Sequence, residues 1–215
     1  MNLIPYFGEG FSSNSYLLIS GEDAVLIDCS VPSAKVIAEL EKYSATLKYI
    51  ILTHGHFDHI ETLDEMREAI GAKVVIHEND AEMLTDGIKN GYCTFFAGDF
   101  TAKATDKTVS DGDIITVGDT QLKVIHTPGH SKGSTCYRCG DMLFTCDTLF
   151  ANNIGRSDLY GGDGATLYAY LRKLSTLRAF KADGEISVYP GHGPLTTLER
   201  EIKYNYYIRD ALSLL

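Results

Sequence analysis

The spacing of short apolar runs is what narrows the folds open to this chain. "SYLLIS" (15–20), "AVLID" (24–28), "KYIIL" (48–52), "KVVIH" (73–77), "LKVIH" (122–126), "MLFT" (142–145) and "ISVY" (186–189) are each a few residues long, apolar or alternating, and read as strands. They come too densely for a simple alternation of strand and helix, with two in succession near the start and several between 106 and 146. Helical patterns lie between them: Val36, Ile37 and Leu40 after Pro32, "LDEMREAIG" closing on Gly71, and Leu167, Tyr170, Leu171, Leu174 and Leu177. A closing helical stretch is expected over "TTLEREIKYNYYIRDALSLL". Bunched strands with helices at their flanks predict an α+β arrangement of sheets covered by outer helices, not a doubly wound sheet. No low-complexity tract or Pro/Ser-rich linker divides the 215 residues, 44% of them hydrophobic, so a single domain over 1–215 is expected.

No stretch reaches the roughly 18 apolar residues of a membrane span, and "MNLIPYFGEG" lacks the basic and apolar regions of a signal peptide. A cytoplasmic location without membrane attachment is therefore expected. Nineteen basic against twenty-nine acidic residues give a net charge of -10, a field that repels polyanions and argues for a small-molecule substrate over nucleic acid. No surface legible in the sequence sets an oligomeric state. Five cysteines without a secretory signal point to reduced thiols. The CxxC of "TCYRCGD" lies in a strand-like stretch, where Cys136 and Cys139 point to opposite faces and read as packing thiols. The aromatic segment "IKNGYCTFFAGDF" (88–100) has two readings, a loop folded onto the core or a wall of a substrate pocket.

Chemistry concentrates in "THGHFDH". His54, His56, Asp58 and His59 follow directly on the strand run 48–52, so their side chains can converge at its carboxyl end. Imidazole and carboxylate donors in such a cluster suit zinc, with iron or manganese as alternatives. Two more histidines, His130 after "LKVIHTPG" and His192 after "ISVYPG", are presented by Pro-Gly turns beyond strand runs, and Asp147 stands similarly beyond "MLFT". Five histidines and two aspartates thus lie at the carboxyl ends of four strands, enough donors for two divalent ions sharing one carboxylate. His77 and His126 lie inside strand runs and read as core groups or as hydrogen-bonding partners behind the ligands. Asp28, closing "AVLID", either receives N–H groups from ligand imidazoles or caps the helix that follows.

The pattern HxHxDH followed by His, Asp and His resembles that of the metallo-β-lactamase fold superfamily, matched in order by His54, His56, Asp58, His59, His130, Asp147 and His192. That resemblance implies a four-layer αββα sandwich of two similar halves with the site at the sheet edges. It also implies that His54, His56 and His130 hold one ion, that Asp58, His59 and His192 hold the other, and that Asp147 bridges them. Within the superfamily, "TCDTLFANNIGRSDLYGGD" and "VYPGHGPLTT" resemble the glyoxalase II group, in which a GR[ST]D stretch follows the bridging aspartate. This implies hydrolysis of a thioester such as S-lactoylglutathione, or of a related acyl thioester or ester, by water that the two ions make acidic, with Asp58 as the catalytic carboxylate. Arg156 and Lys132 are candidates to attract a substrate carboxylate. The chain departs from the pattern in ending soon after His192, without the helical region that holds glutathione in full-length relatives, and in carrying Cys146 where glycine usually precedes the bridging aspartate. Persulfide dioxygenases resemble the same group and would use one iron on His54, His130 and Asp147. A ribonuclease Z-type nuclease and a non-catalytic binding protein are the remaining alternatives.

Overall fold

Alternation of apolar side chains along the strands builds three separate cores, and these define the layers. The computed structural model describes residues 1–179 and 184–213. One six-stranded sheet runs β1 (Asn2–Tyr6), β2 (Ser15–Ser20), β3 (Asp23–Ile27), β4 (Thr46–Ile51), β5 (Lys73–His77) and β6 (Lys107–Val109), in that order. The other runs β7 (Ile114–Val117), β8 (Thr120–His126), β9 (Thr135–Cys139), β10 (Met142–Cys146), β11 (Ser187–Pro190) and β12 (Thr196–Thr197). In β2 and β3, Leu17, Ile19, Ala24 and Leu26 face outward onto Val36 and Leu40 of α1 (Ser33–Tyr43) and Met66 of α2 (Leu63–Ile70). Their neighbours Leu18, Val25 and Ile27 face inward onto Leu122, Val124, Tyr137 and Phe144 of the second sheet. The outer face of that sheet, with Ile125, Leu143 and Val188, packs on Leu171 of α4 (Gly164–Leu174), Leu198 of α5 (Leu198–Tyr204) and Ile208 of α6 (Tyr206–Ser213). The four layers form an αββα sandwich, the α+β arrangement expected.

Cys136 lies in the outer core and Cys139 in the core between the sheets, so the CxxC thiols are divided by the pleat as their spacing requires. A short helix absent from the sequence expectation, α3 (Tyr92–Phe95), interrupts the aromatic segment. The closing helical pattern is not continuous: α5 ends at Asn205, whose side-chain amide donates to the carbonyls of Phe150 and Asn153, and the chain restarts as α6. Leu214 and Leu215 of that pattern lie outside the described residues. Among the described residues no helix is long and apolar enough to cross a membrane.

Strand direction places the chemistry. β3, β4 and β5 are mutually parallel, so their carboxyl ends meet at one edge of the first sheet. In the second sheet β8 and β10 both run antiparallel to β9, and β11 runs parallel to β10. The segments leaving β8, β10 and β11 therefore also emerge on a common edge. Bonds that cross between the sheets join the two edges: Thr135 N donates to Thr53 O at 2.9 Å, Tyr137 Oη to Leu52 O at 2.9 Å, and Tyr16 Oη to Pro190 O at 2.7 Å.

Candidate metal centre

At the joined edges the segment after β4 brings His54, His56, Asp58 and His59, the loop after β8 brings His130, and the turns after β10 and β11 bring Asp147 and His192. Phe57–His59 form one turn of 3-10 helix, which turns Asp58 and His59 back towards the sheet edge. All seven residues that the sequence placed together in space are together.

One group of donors is made of three imidazoles. His130 Nε2 lies 2.9 Å from His56 Nδ1 and 3.1 Å from His54 Nε2. His130 Nδ1 donates to the carbonyl of Arg156 at 2.6 Å, which fixes the proton there and leaves Nε2 as a bare lone pair. A single N–H could serve one of its two neighbours, but three ring nitrogens converging at such distances are relieved together only by a cation among them. Burial, with help from the neighbouring imidazoles, drives His54 well below its ordinary pKa and His56 down to about 3, so neither takes a proton instead.

The second group is Asp58, His59 and His192. His192 Nε2 is 3.1 Å from Asp58 Oδ2. His59 is fully buried, and its Nδ1 donates to Asp28 Oδ2 at 2.9 Å. Its Nε2 has no hydrogen-bond partner and faces two acceptors, Asp147 Oδ1 at 3.3 Å and Asp58 Oδ2 at 3.6 Å. A buried ring nitrogen facing two carboxylates, able to give up its proton to a bound ion, belongs to the donor set of a divalent ion with hard and borderline ligands. Asp147 stands between the groups, its Oδ2 3.7 Å from both His130 Nε2 and His192 Nε2. Burial opposes its charge, yet the surrounding imidazoles, His59 foremost, hold its carboxyl far below the carboxylate range. A Cβ on Gly191 would stand 2.1 Å from Asp147 Oδ1, so only glycine leaves room for that carboxylate beside the turn that carries His192.

The residues behind the donors sort the open readings. Asp28 does not cap α1, whose first residue follows Pro32 with no side-chain cap; it accepts instead from His59 Nδ1 and from Thr53 N and Oγ1. Cys146, at φ 45°, places its sulfur 3.4 Å from Nδ1 of both His54 and His59 and in contact with the Thr53 hydroxyl. His54, His59 and Cys146 form a third grouping of donor atoms, but His59 Nδ1 is already engaged by Asp28. His77 and His126 stack on one another, ring centroids 4.0 Å apart, with His126 Nε2 on the carbonyl of Lys132. Lys132 directs its ammonium over the Tyr160 ring, 5.0 Å from the centroid, away from the cleft wall. Arg156 does reach the cleft, but its Nε and an Nη bond both oxygens of Asp158 at 2.6 and 2.7 Å.

Sequence reasoning did not find Asp80. This fully buried carboxylate, in the 3-10 segment Glu78–Thr85 after β5, accepts from Ser131 Oγ and from Gly133 N, each at 2.6 Å. It thereby pins the loop that carries His130. Burial raises its pKa, and the bonds from Ser131 and Gly133 offset part of the rise. A Cβ on Gly133 would lie 2.7 Å from the Asp80 carboxyl carbon, so the loop presses its backbone against the carboxylate. Nothing in "ENDAEM" marks this acid apart from an exposed turn residue. The Arg156–Asp158 pair is likewise a finding of the structure, since the sequence offered Arg156 only as a receiver for a substrate carboxylate.

A cleft opens over the donors, lined by Asp58, Asp147, His192 and, on its other wall, Phe11, Phe57 and Phe95. Of the two readings of the aromatic segment, its Phe95 takes the pocket-wall role, while Tyr92, Phe96 and Phe100 line a second depression behind Phe57.

Comparison with known proteins gives one family: the model described as "Metallo-beta-lactamase superfamily" matches residues 8–192. A probable metallo-hydrolase of Bacillus subtilis, YqgX, is 34% identical over 91% of this chain and 92% of its own. The hydroxyacylglutathione hydrolase GloC of Haemophilus influenzae is 26% identical over 97% of each. Among solved structures, the B3 metallo-beta-lactamase BLEG-1 superposes with a TM-score of 0.87 at 32% identity, covering 96% of this chain and 99% of that one. TTHA1623, solved in a di-iron-bound form, gives a TM-score of 0.81 at 30% identity over 95% and 99%.

Proposed function

This chain belongs to the Metallo-beta-lactamase superfamily, and from that premise we propose that it is a hydrolase working with two divalent ions, zinc first among them, on small acyl thioesters or esters such as S-lactoylglutathione. The observation that carries the reading is the division of the donors into two complete groups with one carboxylate, Asp147, between them. His54 Nε2, His56 Nδ1 and His130 Nε2 would hold one ion, Asp58, His59 Nε2 and His192 Nε2 the other, and Asp147 both. Bound there, such a pair lowers the pKa of a shared water to about 7 and polarises a carbonyl oxygen.

The chain's own groups do the rest. Asp58, in the cleft wall, accepts a hydrogen bond from the attacking water and takes its proton as the new C–O bond forms. The carbonyl of Arg156, on His130 Nδ1, and Asp28, on His59 Nδ1, fix which nitrogen of each ring faces the cleft. The leaving thiolate is stable without a proton. Apart from the proposed ligands, no acid lines the described cleft, which matches a thioester better than an amide or a phosphodiester. The net charge of -10 weighs in the same direction, against a nucleic-acid substrate.

The test is elemental analysis of protein purified without added metal, followed by thioester assays. About two zinc ions per chain with turnover of S-lactoylglutathione or simpler acyl thioesters is the expected result. One iron per chain with oxygen uptake on glutathione persulfide would replace the reading with a dioxygenase. Hydrolysis of a chromogenic β-lactam without thioesterase activity would replace the substrate class.

A further inference from the structure

The wall facing the donors is built from three rings that arrive on three different segments: Phe11 from the loop between β1 and β2, Phe57 from the donor segment itself, and Phe95 from α3. Their centroids lie 6.2 Å (Phe11–Phe57), 5.7 Å (Phe11–Phe95) and 6.0 Å (Phe57–Phe95) apart. Phe57 is buried, but Phe11 is 54% and Phe95 37% exposed, so apolar ring faces meet solvent beside the donors. Leu159 extends the same wall. The one arginine or lysine on the described cleft wall, Arg156, stacks 5.4 Å over the Phe95 ring and is paired with Asp158 through its Nε and one Nη. No unpaired arginine or lysine lies on that wall to receive a carboxylate.

Resting on the hydrolase reading, we propose that this triad of phenylalanines selects an uncharged, apolar acyl group, so that among acyl thioesters and esters those of medium-chain or aryl acids are preferred over short ones such as lactoyl and over acids bearing a second carboxylate. The acyl chain stays attached to the carbonyl under attack and occupies the space between the rings and Asp58, where water is displaced from ring faces. A second carboxylate would meet apolar rings and lose hydration there, and the charge of Arg156, the cation beside them, is already offset by Asp158. Phe11 and Phe95 are specificity-determining residues in this account; the chemistry at the carbonyl belongs to the donor groups.

The experiment uses the metal-loaded full-length protein and thioesters of one small neutral thiol, N-acetylcysteamine, carrying acetyl, hexanoyl, adipoyl or phenylacetyl groups. Hexanoyl and phenylacetyl are expected to exceed acetyl in kcat/KM by about tenfold or more, since a single methylene in an apolar pocket is worth about that much. Adipoyl, of the same length as hexanoyl but ending in a carboxylate, should fall well below it. Phe11→Ala and Phe95→Ala are each expected to narrow the hexanoyl-to-acetyl ratio, mainly through KM. A flat series, or adipoyl equal to hexanoyl, overturns the proposal while leaving the hydrolase intact. Calorimetric binding of the free acids hexanoate and adipate is measured alongside, so that a protein that hydrolyses none of the thioesters still answers. Tighter hexanoate, weakened by Phe11→Ala, supports the apolar site although the hydrolase reading has failed; equal binding of the two acids overturns it.

Discussion

Asp28→Asn isolates the link between a carboxylate that lines no cleft and the ion it would control. Every hydrogen-bonding neighbour of Asp28 is a donor: Thr53 N at 2.9 Å and Thr53 Oγ1 at 3.0 Å on Oδ1, and His59 Nδ1 at 2.9 Å and Cys146 Sγ at 3.3 Å on Oδ2. Asparagine has the same shape and tolerates the left-handed backbone, φ 55°, that residue 28 adopts. Its amide nitrogen is a donor, however, and must face one of these donors. Turned towards Thr53, it strands a buried N–H, at a cost of about 1–3 kcal/mol in folding stability. Turned towards His59, it makes Nδ1 the acceptor and moves the ring proton to Nε2. That tautomer suits the metal-free protein, because Nε2–H then points at Asp147 Oδ1, 3.3 Å away, and Asp58 Oδ2, 3.6 Å away. It cannot hold an ion.

The expected outcome is therefore asymmetric. Titration of metal-free protein with zinc against a competing chromophoric chelator should show two binding steps, one of them unchanged and the other weakened by about 10–100-fold, the usual effect of removing a ligand's outer partner. That loss equals about 1.4–2.8 kcal/mol, and thermal unfolding of the metal-free protein should also shift downward at pH values where His59 is protonated, because the ring loses the charge of Asp28. Two unchanged binding steps would refute the assignment of Asp28 to His59 and, with it, the role of His59 Nε2 as a donor. Weakening of both steps together would instead mean that Asp28 supports the whole edge and not one ring.

Asp80→Ala removes the acceptor of both Ser131 Oγ and Gly133 N; with at least the buried Gly133 N–H stranded, the melting curve should show a loss of about 1–3 kcal/mol, and the zinc step carried by His130 should weaken, whereas an unaltered step would detach the loop from the site. In metal-free protein, nitrogen-15 NMR of the rings should find His54 and His56 neutral far below pH 6.5 and His59 and His192 still protonated above it, since burial and neighbouring rings depress the first pair while, against burial, the acidic groups around the second pair raise it. Stability follows with opposite signs: as pH falls from 6.5 towards about 3 the unfolded chain takes protons that His54 and His56 refuse and stability is lost, whereas the contribution of His59 and His192 is complete below 6.5 and fades above it. A His56 ring protonated at pH 5 would overturn the first half.

Donor residues were legible because each sits a few positions beyond an apolar run, and Gly or Pro directly after such a run marks a turn by its backbone preferences alone. What stayed hidden depends on contacts across long sequence separations. Asp80 acquires its partners from residues 51 and 53 positions away, and only the folded edge brings them near. Phe11 lies in a Gly- and Ser-rich loop with no periodicity to assign it a face, and becomes a wall only against Phe57 and Phe95. The break at Asn205 is set by two carbonyls more than fifty residues earlier, which local helix propensity does not register.

The two sheets reach the centre by the same route, which accounts for the odd backbone at its heart. β3 passes through α1 into the parallel strand β4, and β10 passes through α4 into the parallel strand β11. At the end of the first strand of each pair the chain must leave the sheet edge sharply, and the exit residues, Asp28 at φ 55° and Cys146 at φ 45°, both adopt the left-handed conformation. Aspartate visits that region with little penalty, but cysteine is a residue for which glycine would be the cheaper choice. The sulfur is what glycine would lack: it fills the space behind His54 and His59, 3.4 Å from an Nδ1 of each and 3.3 Å from Asp28 Oδ2. The backbone strain at Cys146 is thus offset by packing that holds one ring from each donor group, tying the exit of one sheet to the exit of the other.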